Sequence, residues 1–111
     1  MVQIETTGAL EAVSDIANLE GVDSLFIGPL DLSFALGVPE DFDAQVFTDA
    51  VTTVVAAARS ASKPVGSLIS DPARIASMRE YGMDFLALGS DALALRKGLA
   101  DQVHHVRSSN A

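Results

Sequence analysis

The order of apolar segments constrains this chain most. Four times in 111 residues, a short strand-like run is followed by a stretch with apolar residues at helical spacing. The strand segments are 2–6, 24–28, 64–70 and 83–89, and the helical ones are 8–20, 43–62, 72–81 and 91 to about 107. Val46, Phe47, Ala50, Val51, Val54, Val55 and Ala58 fall on one stripe, and Leu95, Leu99, Val103 and Val106 on another. Gly21 and Gly82 stand at helix stops, Asp71-Pro72 is a helix start, and 29–37 is a loop with room for one helical turn. Strict alternation with short connections predicts an α/β fold with a parallel sheet and right-handed crossovers. Residues 1–107 then form one domain, and 108–111 (SSNA) a frayed tail.

Composition narrows the function classes. Seven Lys and Arg against fifteen Asp and Glu give a net charge of −8, which disfavours nucleic acid and anionic membranes as partners. No apolar run approaches the roughly 18–20 residues of a membrane span. The start MVQIETTG has neither the basic nor the apolar part of a secretion signal, so a cytoplasmic location is expected. With no cysteine, disulfides, thiolate metal sites and cysteine nucleophiles are excluded.

In such folds ligand chemistry sits at the carboxyl ends of the strands, here 3–6, 28–33, 69–71 and 89–91. Gln3 and Glu5, two apart on a strand, share a face, while Val2 and Ile4 point toward covering helices. That polar face either holds a ligand or lies on an exposed edge. Gly28-Pro29-Leu30-Asp31 follows the most apolar strand, and Gly-Pro there gives a sharp exit that lets backbone N–H groups face a ligand. Asp31 either caps a short helix beginning at Leu32 or reaches the same pocket as Glu5. Two carboxylates from neighbouring strand ends, with waters completing an octahedron, suit Mg²⁺ or Mn²⁺. Ser70, Asp71, Ser90 and Asp91 read first as helix caps, and Glu11, Asp15, Glu20 and Asp23 as solvated surface.

VQIET, then GAL, GVDSLFIGPLDLSFALG and KPVGSLISDPARIASMREYGMDFLALGSDALALRKG together resemble the HpcH/HpaI family of metal-dependent pyruvate aldolases over nearly the whole chain. The resemblance implies four βα units equivalent to the second half, strands five to eight, of a (β/α)₈ TIM barrel. It implies Glu5 and Asp31 as ligands of a divalent metal (Mg²⁺, Mn²⁺ or Co²⁺). Gln3 is then a substrate-contacting residue, and Leu30 offers its backbone amide to the substrate carboxylate, at a position where the family often has alanine. The implied reaction is retro-aldol cleavage of a 4-hydroxy-2-oxo acid to pyruvate and an aldehyde. The family's homo-oligomers, typically hexamers exchanging last helices, imply self-assembly.

The resemblance also marks what is missing. The family's histidine base and substrate-binding arginine come from the other half of the barrel. The histidines here, His104 and His105, lie late in the last helical stretch, and adjacent helical residues point in different directions. Neither reaches the strand ends as a base, so the chain alone is expected to turn over little or nothing. A Schiff-base aldolase needs a desolvated lysine at the carboxyl ends of the strands, whereas Lys63 precedes the third strand and Lys97 lies in the last helix. Arg59, Arg74, Arg79, Arg96 and Arg107 all fall on helices, with solvated faces the default. Two rivals remain. One is a half-barrel without activity of its own, whose open edges invite pairing with a partner or a second copy. The other is a receiver-like module, against which LALGSD offers no lysine after the late strand.

Overall fold

A computed structural model describes residues 1–109. The element order is β1 (Val2–Ile4), α1 (Thr7–Glu11), α2 (Val13–Asn18), β2 (Leu25–Ile27), α3 (Pro29–Ala35), α4 (Gln45–Ser60), β3 (Val65–Ile69), a 3-10 turn (Pro72–Arg74), α5 (Ile75–Glu80), β4 (Phe85–Leu88) and α6 (Asp91–Ser109). The strands form one parallel sheet in the order β1-β2-β3-β4, so the βα alternation seen in the sequence is the architecture.

One face of the sheet carries the core. Ile4, Leu25, Ile27, Val65 and Ile69 are buried there against Val13 and Ala17 of α2, Phe47, Val51 and Val54 of α4, and Met78 of α5. The stripe read along α4 holds except that Val46 is 43% exposed and Ala57 is buried in its place. The opposite face has no covering layer among the described residues. Gln3, Phe26, Gly66 and Phe85 are register partners across it, and the Phe26 and Phe85 rings stack at 6.0 Å between centroids. Phe26 is therefore half-buried, not enclosed on both sides as the apolar run LFI suggests. A Cβ on Gly66 would collide with the Phe85 ring, so only glycine admits this stack.

Three segments depart from the sequence reading. The predicted helix 8–20 is two helices joined at Ala12 (φ −92°, ψ 7°). Ala12 still donates to the Gly8 carbonyl and accepts from Ile16, so the bend loses little hydrogen bonding. The loop 29–37 contains a seven-residue helix, with Pro29 in its first turn. Helix α6 runs to Ser109, so Ser108 and Ser109 of the expected tail are helical; Asn110 and Ala111 lie outside the described residues.

Helix α6 buries none of its residues. Leu95, Leu99, Val103 and Val106 are 65%, 54%, 50% and 59% exposed, and Leu88 at the end of β4 is 61% exposed. The stripe legible in the sequence has no partner within the described chain. Among the described residues no helix is long and apolar enough to cross a membrane.

Two arginines expected on solvated faces hold elements together. Arg74 forks onto Asp43 through Nη1 and Nη2 at 3.1 and 2.7 Å and lies over the Phe42 ring. Asp43 raises its pKa further above the ordinary guanidinium value. At the amino ends of the strands, Arg59 pairs with Asp84 at 2.9 Å, and the other Asp84 oxygen accepts from the Val65 amide at 2.8 Å. The Val65 amide first, and Arg59 second, hold the Asp84 carboxyl below its usual range. Such a group stabilises the fold above its unfolded pKa of about 3.9, and that contribution is lost as pH falls through the lower folded value. Thermal melts are therefore expected to drop in midpoint as pH falls below about 4, with a shallower drop for Asp84→Asn. An unchanged acid slope in that variant counts against the role.

Candidate functional site

The site is built at the carboxyl end of β1 and the β2–α3 junction. Gln3 and Glu5 share the uncovered face of the sheet, as their spacing predicts. Gln3 is exposed and Glu5 half-buried at the carboxyl end of the edge strand. The Gln3 Nε2 donates to Glu5 Oε2 at 2.6 Å. This bond fixes the amide orientation and leaves Glu5 Oε1 available.

Directly beside this pair is Gly28, whose N–H continues the ladder to the Ile4 carbonyl at 3.1 Å. A Cβ there would stand 2.5 Å from Gln3 Nε2, 2.9 Å from Glu5 Oε2 and 3.1 Å from Glu5 Cβ. The missing side chain is the space the pair occupies. The glycine is legible as a turn residue, but its part in seating Gln3 and Glu5 is not, because the contacts join residues 25 and 23 positions apart through strand register.

The helix that follows removes one reading of Asp31. Gly28 is its N-cap, it starts at Pro29, and no side chain caps it. Asp31 is thus an exposed residue of the first turn, where a carboxylate interacts favourably with the helix N-terminus, and it does not cap a helix starting at Leu32. No hydrogen bond joins Asp31 to Gln3 or Glu5 among the described residues. Leu30 is 48% exposed beside it. Buried Ser33 braces the helix from below, donating to the Leu30 carbonyl at 2.6 Å and accepting from the Glu40 amide at 3.0 Å.

Of the other strand-end residues, Asp71 accepts from the Ala73 amide at 3.0 Å and Ser90 from Leu93 at 3.2 Å, so both are caps. Asp91 accepts from Ala92 at 2.7 Å. His104 and His105 lie exposed on α6, and Lys63 donates to the Leu19 carbonyl at 2.9 Å. None of these joins the Gln3–Glu5–Gly28 group.

As a donor set, Glu5 and Asp31 are two hard carboxylates. No group of three or more His, Cys, Asp or Glu is gathered for a metal among the described residues. Two carboxylates with waters fit Mg²⁺ or Mn²⁺, whose sites commonly keep several waters, and do not fit a site built wholly from protein ligands.

The family model for HpcH/HpaI aldolase/citrate lyase matches residues 1–97. The chain belongs to this family. Across all 111 residues it is 32% identical to a 2-keto-3-deoxy-L-rhamnonate aldolase of Klebsiella pneumoniae, covering 100% of this chain and 42% of that protein. Over 95 residues it is 35% identical to a hydroxypyruvate/pyruvate aldolase of Roseovarius nubinhibens, covering 86% of this chain and 37% of that one. Among solved structures, the HpcH/HpaI aldolase of Desulfitobacterium hafniense superposes with a TM-score of 0.84 at 28% identity, covering 95% of this chain and 41% of the other. A family protein from Burkholderia cenocepacia gives 0.84 at 31% identity, covering 96% and 42%. This HpcH/HpaI chain spans less than half the length of the relatives it matches, and its four-stranded parallel sheet is similar to their TIM-barrel structures.

Proposed function

We propose that this chain is the metal- and substrate-holding part of an aldolase that cleaves 4-hydroxy-2-oxo acids to pyruvate and an aldehyde, equivalent to the second half of the barrel. The seating of Gln3 and Glu5 against Gly28 carries this reading. It is a costly arrangement for a bare edge strand and a useful one for a carboxylate that must hold a fixed position.

Glu5 and Asp31 hold the divalent cation (Mg²⁺, Mn²⁺ or Co²⁺), which when bound supplies Lewis-acid polarisation of a 2-oxo group. Gln3 restrains Glu5 through its amide and faces the substrate. The backbone amide of Leu30, in the first turn of α3, receives the substrate carboxylate. Among the described residues no histidine stands at the strand ends, so in this reading the chain binds and orients without moving the proton of the cleavage step. A homo-oligomer follows in the same reading, supported by the bare stripe on α6.

The test uses the 111-residue chain with Mn²⁺ and ¹³C-labelled pyruvate. Paramagnetic broadening of the pyruvate signals that needs both Mn²⁺ and protein, together with no pyruvate release from a 4-hydroxy-2-oxo acid, is the expected result. Pyruvate signals indifferent to the protein overturn the binding role, and measurable retro-aldol turnover overturns the assignment of the base elsewhere. Gly28→Ala is expected to cost about 1 kcal/mol of stability as Gln3 and Glu5 yield to the new methyl. Its Mn²⁺ affinity should fall about tenfold or more, as for other groups that set a ligand's position. Titration followed by Mn²⁺ electron paramagnetic resonance, beside a thermal melt, separates the two effects.

A further inference from the structure

A cavity of about 310 Å³ opens between α3, the loop before α4, and the carboxyl end of β3. Its floor is Ile27, Phe47, Ile69 and Met78, each no more than 6% exposed. Its walls come from the two central strands and the segments following them, not from β1 or β4. Pro29 and Leu30 of α3 line it, whereas Gln3 and Glu5 project from the sheet face opposite Ile27 and Ile69.

The polar atoms around it decide what enters. The floor offers little hydrogen bonding: Ser67, its buried hydroxyl, already donates to the Ile27 carbonyl at 3.2 Å. An apolar body is what such a floor accepts. The rim is different. Glu40 and Asp71 stand there as carboxylates, and Arg74, the one cation of its lining among the described residues, is already forked onto Asp43. With its guanidinium neutralised, the rim has an excess of negative charge and selects a cation over an anion. Glu40 is held in place at φ 61°, an unusual conformation for a glutamate, by its amide bond to buried Ser33.

We propose that this cavity is a second ligand site, taking a compact apolar molecule that ends in an ammonium group. The apolar part fills the space over Ile27 and Met78, and the ammonium sits between Glu40 and Asp71.

Benzylamine is the probe, with benzoate as its anionic counterpart, on the 111-residue chain with methyl groups labelled for NMR. Benzylamine is expected to saturate, shifting the Ile27 and Met78 methyl signals, with benzoate at least about five-fold weaker, the scale of two part-exposed charge interactions. In Glu40→Gln/Asp71→Asn that preference should shrink to about two-fold, while asparagine keeps the cap on Ala73 and the methyl spectrum stays native. Benzoate binding as tightly as benzylamine overturns the proposal. So does an unchanged preference in the double variant, shifts confined to residues near Phe26 and Phe85, or no saturation at all.

Discussion

Glu5→Gln is expected to lower Mn²⁺ affinity by about 100-fold, since losing a group that only supports a ligand already costs about 10–100-fold. Asp31→Asn should do the same, for the amide keeps the shape and removes the charge that a hard cation needs. His104→Ala should leave the titration unchanged, because His104 lies exposed on α6, far along the chain from the strand ends. Isothermal titration of the three variants distinguishes the readings. Equal effects from all three remove Glu5 and Asp31 as specific ligands. A loss with Glu5→Gln and none with Asp31→Asn would keep the edge strand as a metal site and remove α3 from it.

The second large effect concerns α6. The chain should show a mass above 11.6 kDa by light scattering, and Leu95→Glu/Leu99→Glu should return it to the monomer. The four stripe residues are half to two-thirds exposed, so burying the remainder contributes about 1 kcal/mol each. A symmetric pair of helices then gains about 8 kcal/mol, against an association cost of about 4–15 kcal/mol. The stripe alone supports a weak dimer whose mass depends on concentration. A tight assembly requires more apolar area, and Leu88 and the Phe26–Phe85 stack offer it. A variant of unchanged mass and unchanged helical circular dichroism would place the contact elsewhere.

Local periodicity made the sheet legible: the runs around Leu25, Val65 and Leu86 lie where apolar alternation places them, and Gln3 and Glu5 share a face because side chains two apart on a strand must. What stayed hidden depends on contacts distant in sequence. Gly28 looked like turn chemistry until register set it against Glu5. Asp84 falls within a strand segment by its pattern, although an acid opening the run DFLAL is a signal that it bonds something other than water. The length of α3 was underestimated because Gly-Pro marks a turn and a helix start equally well. Helix α6 was read correctly as a helix, but no sequence pattern states whether a stripe is covered by its own chain.

Asp84 and Phe85 are neighbours with opposite tasks. One carboxylate oxygen latches the Val65 amide, while the next side chain plugs the gap over Gly66. Sliding β4 by one residue would carry the latch off its amide and turn the plug toward the helices, where there is no glycine to receive it. Both fastenings fail at the same step, so the last strand has a single alignment open to it, and a misaligned chain is penalised twice at one point.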